Sequence, residues 1–351
     1  MTAGILNPAD DPRAAAFRPS ETDSGANARK WFDDNQSTRP RAQDFNRVLA
    51  QIRTAGDAAG VPDVEGDDAY LLKTIKGITR PKLTADTQFW VRADGSDAHD
   101  GTANSAGSAW ATLQHAYDWI AAHIDPAGFK PIINIGTGGT YDGITVNNSL
   151  NAVMPIVGQV GDETAVVIRG ALGDTGNPVS LYAMDGGLQL QLNWLTLQCP
   201  AGHATCRLAN RNYLVLGSDD INGAGKIKVT GNPNVVLFAS ASSEIDILGT
   251  FTMALGGAGC VDLIAADFMS IVSFTADLAA SSPVAFSYAA IWLAANSFCF
   301  FAPNSMTGTF TGPRRVLAQC SALISPNGLA SDIPGSSNGT LYDNAVHSVY
   351  R

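Results

Sequence analysis

The sequence predicts a mainly β body, and three observations carry that reading. Charged residues make up only 15% of the 351, against 45% hydrophobic, and there are 35 glycines. That composition suits short strands and tight turns better than long solvated helices. From residue 85 on, short β-type runs recur roughly every 8–12 residues, each ended by Gly, Asn or Asp. Several alternate: Leu188, Leu190 and Leu192 against Gln189, Gln191 and Asn193, and Ile227 and Val229 against Lys226 and Lys228. One face of such strands meets a core and the other meets solvent or a neighbour. A sandwich, a barrel and a β-solenoid all fit this spacing, whereas a doubly wound α/β fold does not.

Four regions follow along the chain. Residues 1–38 are rich in Asp, Asn, Pro, Ser and Arg without apolar periodicity, and read as an extended arm ordered only against a partner. Residues 39–84 carry two short helices. The first opens at Thr38 and Pro40 and lines up Phe45, Val48, Leu49 and Ile52; the second carries Leu71, Leu72 and Ile75. Helices this short must pack on something else to bury their stripes. Residues 85–325 are the β body and residues 326–351 the C-terminal tail.

The net charge of −10 argues against a nucleic-acid binder, which needs a basic stripe to meet phosphates. No apolar run is long enough for membrane insertion, and the first residues lack a signal core. The cysteines, 199, 206, 260, 299 and 320, have neither CxxC nor zinc-like spacing and are expected to be reduced core residues.

The loop "DGSDAHDGT" (94–102) raises the question of metal. A calcium loop wants acids at alternate positions followed by Gly. Counting from Asp94 the slots are Ser96, Ala98 and His99, and counting from Asp97 they include His99 and Gly101, so both registers fail. The expected role is architectural: an Asx-Gly loop joins a strand to an amphipathic helix whose Leu113, Ala116, Tyr117, Ile120 and Ile124 share a face. A strand, loop, helix and strand in that order would form a lid over an open solenoid end. The five histidines share no metal spacing. No metal and no cofactor is expected.

The run "FWVRADGSDAHDGT…SAWATLQHAYDWI" (89–120) resembles the opening of right-handed parallel β-helix domains of the pectate-lyase-like class. The resemblance implies that fold, with the helix as its cap. It implies no activity, since the class includes lyases, hydrolases and non-enzymes. Residues 297–340 resemble the closing segment of phage and prophage tail-fibre or tail-spike proteins. Gly308, Thr309, Gly312, Arg314, Arg315, Ile324, Gly328, Pro334, Gly335, Ser336 and Gly339 stand at matching places, while Val316 replaces the usual Tyr. That resemblance implies a homotrimer in the virion, made in the bacterial cytoplasm. Residues 1–80 would attach it to tail or baseplate proteins, and the body would bind a glycan or protein of the host surface.

Several chemical motifs have an architectural reading beside the functional one. "GSSNG" (335–339) has the spelling of a nucleophile elbow, with Asp343 and His347 behind it, but lacks the strand-to-helix setting and is expected to be a turn. "GTGGTY" (136–141) is followed by a strand instead of a helix and is likewise a turn. For glycan cleavage the candidates are Asp246 and Asp267, 21 residues apart and so able to stack on adjacent coils. Solvated strand-face residues are their default reading. Aromatics crowd residues 286–310; burial is expected for most, and Tyr288 and Trp292 are the candidates for stacking on sugar. Binding is the leading expectation. A polysaccharide lyase or hydrolase, or a purely structural virion component, is the alternative.

Overall fold

The computed structural model of the chain describes residues 50–52, 54, 80–326, 333–335, 340–342, 349 and 350. Within 80–326 it leaves out 147–149, 151, 171–179, 184–186, 188, 200, 201, 220, 257–259 and 320. The chain divides into two compact units, Met1–Pro81 and Lys82–Arg351. In the first, residues 50–52 and 54 are helical. The predicted arm, most of the two predicted helices, Cys320, residues 336–339 of the "GSSNG" turn, Asp343 and His347 lie outside the described residues.

The second unit is a parallel β-solenoid. Among the described residues its strands fall into three sheets of ten, seven and nine strands, in which every pairing is parallel, and one two-stranded antiparallel hairpin. Successive strands step from one sheet to the next, so the chain winds and each strand pairs with its counterpart one coil away. In the ten-strand sheet Leu214, Ile245, Val272, Cys299 and Leu323 are successive register partners. Leu216, Ile247, Phe274 and Phe301 form a second column. All but Leu323 are fully buried, and Leu323 is nearly so. Alternation along each strand supplies these columns, because every second side chain points inward.

The corners contain a repeat that no motif in the sequence announces. Before four strands of the ten-strand sheet, two consecutive residues take left-handed φ: Asn210 and Arg211, Ala241 and Ser242, Phe268 and Met269, Ala295 and Asn296. Each pair is followed by a buried polar residue, Asn212, Ser243, Ser270 or Ser297. Left-handed backbone costs an L-residue roughly 1–2 kcal/mol. A hydrogen-bond ladder between coils offsets that cost: the Arg211, Ser242 and Met269 amides donate to the Ala241, Phe268 and Ala295 carbonyls at 3.0, 2.9 and 3.0 Å.

The aspartate loop is architectural, as expected. Asp94 binds Arg92 through both oxygens, at 2.8 and 3.0 Å. Asp97 accepts from the amides of Ala111 and Thr112 and from the Thr112 hydroxyl, at 2.8–2.9 Å. It thereby locks Thr112 as N-cap of the helix Leu113–His123, where Thr112 Oγ1 accepts from the His115 amide. Asp100 closes an Asx turn on Thr102. The helix buries Leu113, Ala116, Tyr117, Ile120 and Ala121 against the first strands of the three sheets. Gln114 also seals a sheet edge. Its Nε2 donates to Thr145 O at 2.9 Å and its Oε1 accepts from the Thr145 amide at 2.7 Å. Thr145 lies on Ile144–Val146, the last strand on one side of the nine-strand sheet, so the helix supplies the bonds a further strand would make. Gln114→Ala should cost about 2 kcal/mol, two hydrogen bonds at about 1 kcal/mol each. Amide exchange at Thr145 should speed up accordingly; an unchanged rate would refute the edge-sealing role.

Candidate functional site

The outward face of the nine-strand sheet carries a column set by register alone. Tyr182 pairs with Arg207, Arg207 with Phe238, Phe238 with Ala265 and Ala265 with Trp292. Neighbouring parallel strands stand about 4.8 Å apart, so the column runs for roughly 19 Å. The Arg207 guanidinium lies 5.8 Å from the Tyr182 ring centre and 5.4 Å from that of Phe238. It bridges the two rings by cation–π attraction, which ties the three side chains into one row. Trp292 continues it beyond the small Ala265. Sequence reasoning found Trp292 and missed Tyr182, Arg207 and Phe238. These three are dispersed over 57 positions of the chain, and only coil-to-coil register brings them together.

Tyr288 lies on the same strand as Trp292, Val284–Leu293. Cys260 pairs with Phe286 but Asp262 with Ala289, so this strand holds one extra residue against its neighbour. Such a bulge breaks alternation and re-aims a side chain. Ser287 and Tyr288 are exposed there, and the Arg314 guanidinium sits 5.3 Å from the Tyr288 ring centre. Asp262 packs beside the bulge, 6% exposed, and its Oδ1 accepts from the Ala289 amide at 3.1 Å. Burial pushes its carboxyl up to about 7, partly opposed by that amide. Of the other aromatics, Phe286 and Phe301 are buried, Phe298 and Phe300 are half-buried, and Phe310 stacks on Phe286.

Asp246 lies on Glu244–Ile247 in the ten-strand sheet, where its register partners are Val215 and Ser273. The Tyr213 hydroxyl donates to its Oδ2 at 2.7 Å. Asp267 directly follows Cys260–Ala266 of the nine-strand sheet; its amide donates to Ala239 O, and its buried Oδ1 has no hydrogen-bond partner. Register thus makes the two aspartates neighbours of other residues, not of each other. The carboxylate that shares a strand face with Asp246 is Glu244, two residues back and about 6.6 Å away along the strand. Burial, then the charge of Asp246, raises the Glu244 carboxyl above its ordinary range. The alternation Glu244-Ile245-Asp246-Ile247 was the signal in the sequence for this pair.

The remaining candidates have local roles. Residues 136–141 form a turn into Gly139–Asp142, with Tyr141 buried and its hydroxyl donating to Thr137 O at 2.9 Å. His99 Nδ1 lies 3.2 Å from Ala109 O, and His123 stacks on Trp119. Arg315 Nε donates to Ile333 O at 3.0 Å. Cys199, Cys206, Cys260 and Cys299 are buried, and burial raises all four thiols, Cys199 and Cys260 to about 12. Among the described residues no group of three or more metal-binding side chains occurs. No protein-family model, no curated protein and no solved structure matches the chain.

Proposed function

We propose that this protein is a phage tail fibre or tail spike. Residues 1–80 attach it to tail or baseplate proteins of the virion, and its solenoid body binds a glycan of the host surface. The observation that carries the binding role is the outward column Tyr182–Arg207–Phe238–Trp292. An aromatic row with an embedded guanidinium offers ring surface for sugars to pack on and donors for their hydroxyls. The sequence resemblance at 297–340 supports the virion setting, and the one at 89–120 supports the β-helix body. Three copies of such a strip in a homotrimer let weak single contacts add through avidity.

Binding of a fluorescent fusion to a panel of bacterial strains tests this. Binding to some strains is expected, with Arg207→Ala and Trp292→Ala each weakening it about tenfold, the worth of one stacking contact. A native-like fusion that binds none of the strains, or variants that bind as well as the parent, would overturn it. The Glu244–Asp246 pair favours a second reading, cleavage of the bound polysaccharide. A carboxyl whose ionisation is delayed by burial and by a second carboxylate beside it has the arrangement that general acid catalysis uses. Release of oligosaccharide, lost in Glu244→Gln, would establish it.

A further inference from the structure

A second site lies on the opposite kind of surface, a groove cut into the outward face of the first three strands of the ten-strand sheet. Trp90, Asn134 and Val157 are register partners there, with Gln88 beside Ile132. The groove encloses about 290 Å³. Among the described residues no side chain lining it is charged, and five of the thirteen lining residues are carboxamides: Gln88, Asn104, Asn134, Gln159 and Asn222. Trp90 supplies the aromatic face, and Val157, Val160 and Ile221 the apolar rim.

One wall comes from a hairpin that this coil alone carries among the described residues. Ser218–Asp219 pairs antiparallel with Gly223–Ala224, lengthening the step from Leu214 to Ile245 to 31 residues, where the next two coils take 27 each. The hairpin is held stiffly. Asp219 is 3% exposed and accepts from the Ile221 and Asn222 amides at 2.8 and 2.5 Å and from Asn193 Nδ2 at 2.8 Å. Asn193 is in register with Val157, and its own Oδ1 accepts from the Trp194 and Lys226 amides. The Asp219 charge is therefore spent inside the hairpin, and what it presents to the groove is Ile221 and the Asn222 amide.

The amides are partly unspent. Asn134 Nδ2 has no hydrogen-bond partner, a cost that rotation toward a ligand oxygen would remove. Asn104 uses its Oδ1 on Arg92 at 2.9 Å, leaving its nitrogen. Asn222 uses its nitrogen on Asp219, leaving its oxygen. Donors and acceptors around one indole, with no fixed charge, suit a ring whose hydroxyls both donate and accept and whose C–H face stacks on the indole. An anionic ligand would find no cationic side chain among the described lining residues, and a purely apolar one would leave the amides unpaired.

We propose that this groove binds a neutral pyranose unit. The site stands apart from the nine-strand face and does not depend on its role.

Saturation-transfer NMR on the full chain tests it, using the methyl pyranosides of glucose, galactose, mannose, N-acetylglucosamine and rhamnose, with galacturonate as the charged counterpart. Transfer to at least one neutral sugar is expected, and not to galacturonate. Trp90→Ala and Asn222→Ala should each weaken it about tenfold, the worth of one stacking or hydrogen-bond contact. Asn222 sits on the exposed hairpin, so that variant should keep the native circular dichroism even where Trp90→Ala fails to fold. Absence of transfer from all five neutral sugars, undiminished transfer in a folded Asn222→Ala, or preference for galacturonate would overturn the proposal. Trp292→Ala should leave the signal intact, and Asn222→Ala should leave attachment to cells through the nine-strand face intact, so the two sites fail separately.

Discussion

Asp262→Asn is expected to stabilise the protein at pH 8 by about 2–4 kcal/mol and to remove most of the loss of stability between pH 4 and pH 7. In the unfolded chain this carboxyl ionises near 3.8, while burial in the fold delays ionisation to about 7. Between those values the folded state keeps a proton that the unfolded state has released. Stability therefore falls as pH rises through that window, by up to about 1.4 kcal/mol per unit, and levels off above it. Asparagine imitates the protonated form and still offers an oxygen to the Ala289 amide. Urea unfolding of both proteins at pH 4, 5, 6, 7 and 8 measures the difference. Parallel stability curves would mean that water reaches the Asp262 carboxyl and that it titrates as a surface group. Because Ala289 follows Tyr288 directly, a charged Asp262 also loads the bulge that presents Tyr288.

Phe274→Ala should cost about 3–5 kcal/mol. Phe274 is fully buried in the column between Ile247 and Phe301. Its ring centre lies 5.7 Å from that of Phe251 and 4.9 Å from that of Phe301, so truncation opens a cavity among aromatic neighbours that cannot all move in. Phe274→Leu, which keeps most of the volume, should cost less than about 1.5 kcal/mol. A solenoid coil touches only its neighbours, so the damage should be local. Amide exchange should quicken across Glu244–Ile247, Ile271–Phe274 and Phe298–Phe301 and stay unchanged at Thr87–Val91. A measured cost under about 1 kcal/mol would show that this column is not close-packed.

Much of the fold was legible one segment at a time. The face Leu113, Ala116, Tyr117, Ile120 marked the capping helix, and all four are buried in it. Period-two alternation marked the inward columns: Leu190 and Leu192, and Ile227 and Val229, are buried. The corners escaped because their left-handed pairs are filled by Asn, Arg, Ala, Ser, Phe and Met instead of Gly, leaving no turn signature to read. Their conformation is maintained by hydrogen bonds to the next coil, which no local window contains.

The candidate sites were legible only in part. Trp292 and Tyr288 could be picked out as aromatics in a crowded stretch, and Asp246 as a carboxylate on an alternating strand. Their partners on other coils could not be inferred, because contacts in a solenoid depend on how many residues each coil consumes, and loops of unequal length change that count.

By itself the sequence determined which side chains turn inward, where the lid begins and that the body is mainly β, since periodicity and capping act within a few residues. Only the tertiary structure decided that Arg207 lies between Tyr182 and Phe238, that Asp246 and Asp267 are not neighbours, and that Asn222 and Trp90 line one groove. Those meetings are set by inter-coil register, a non-local quantity summed over every turn of backbone between the residues concerned.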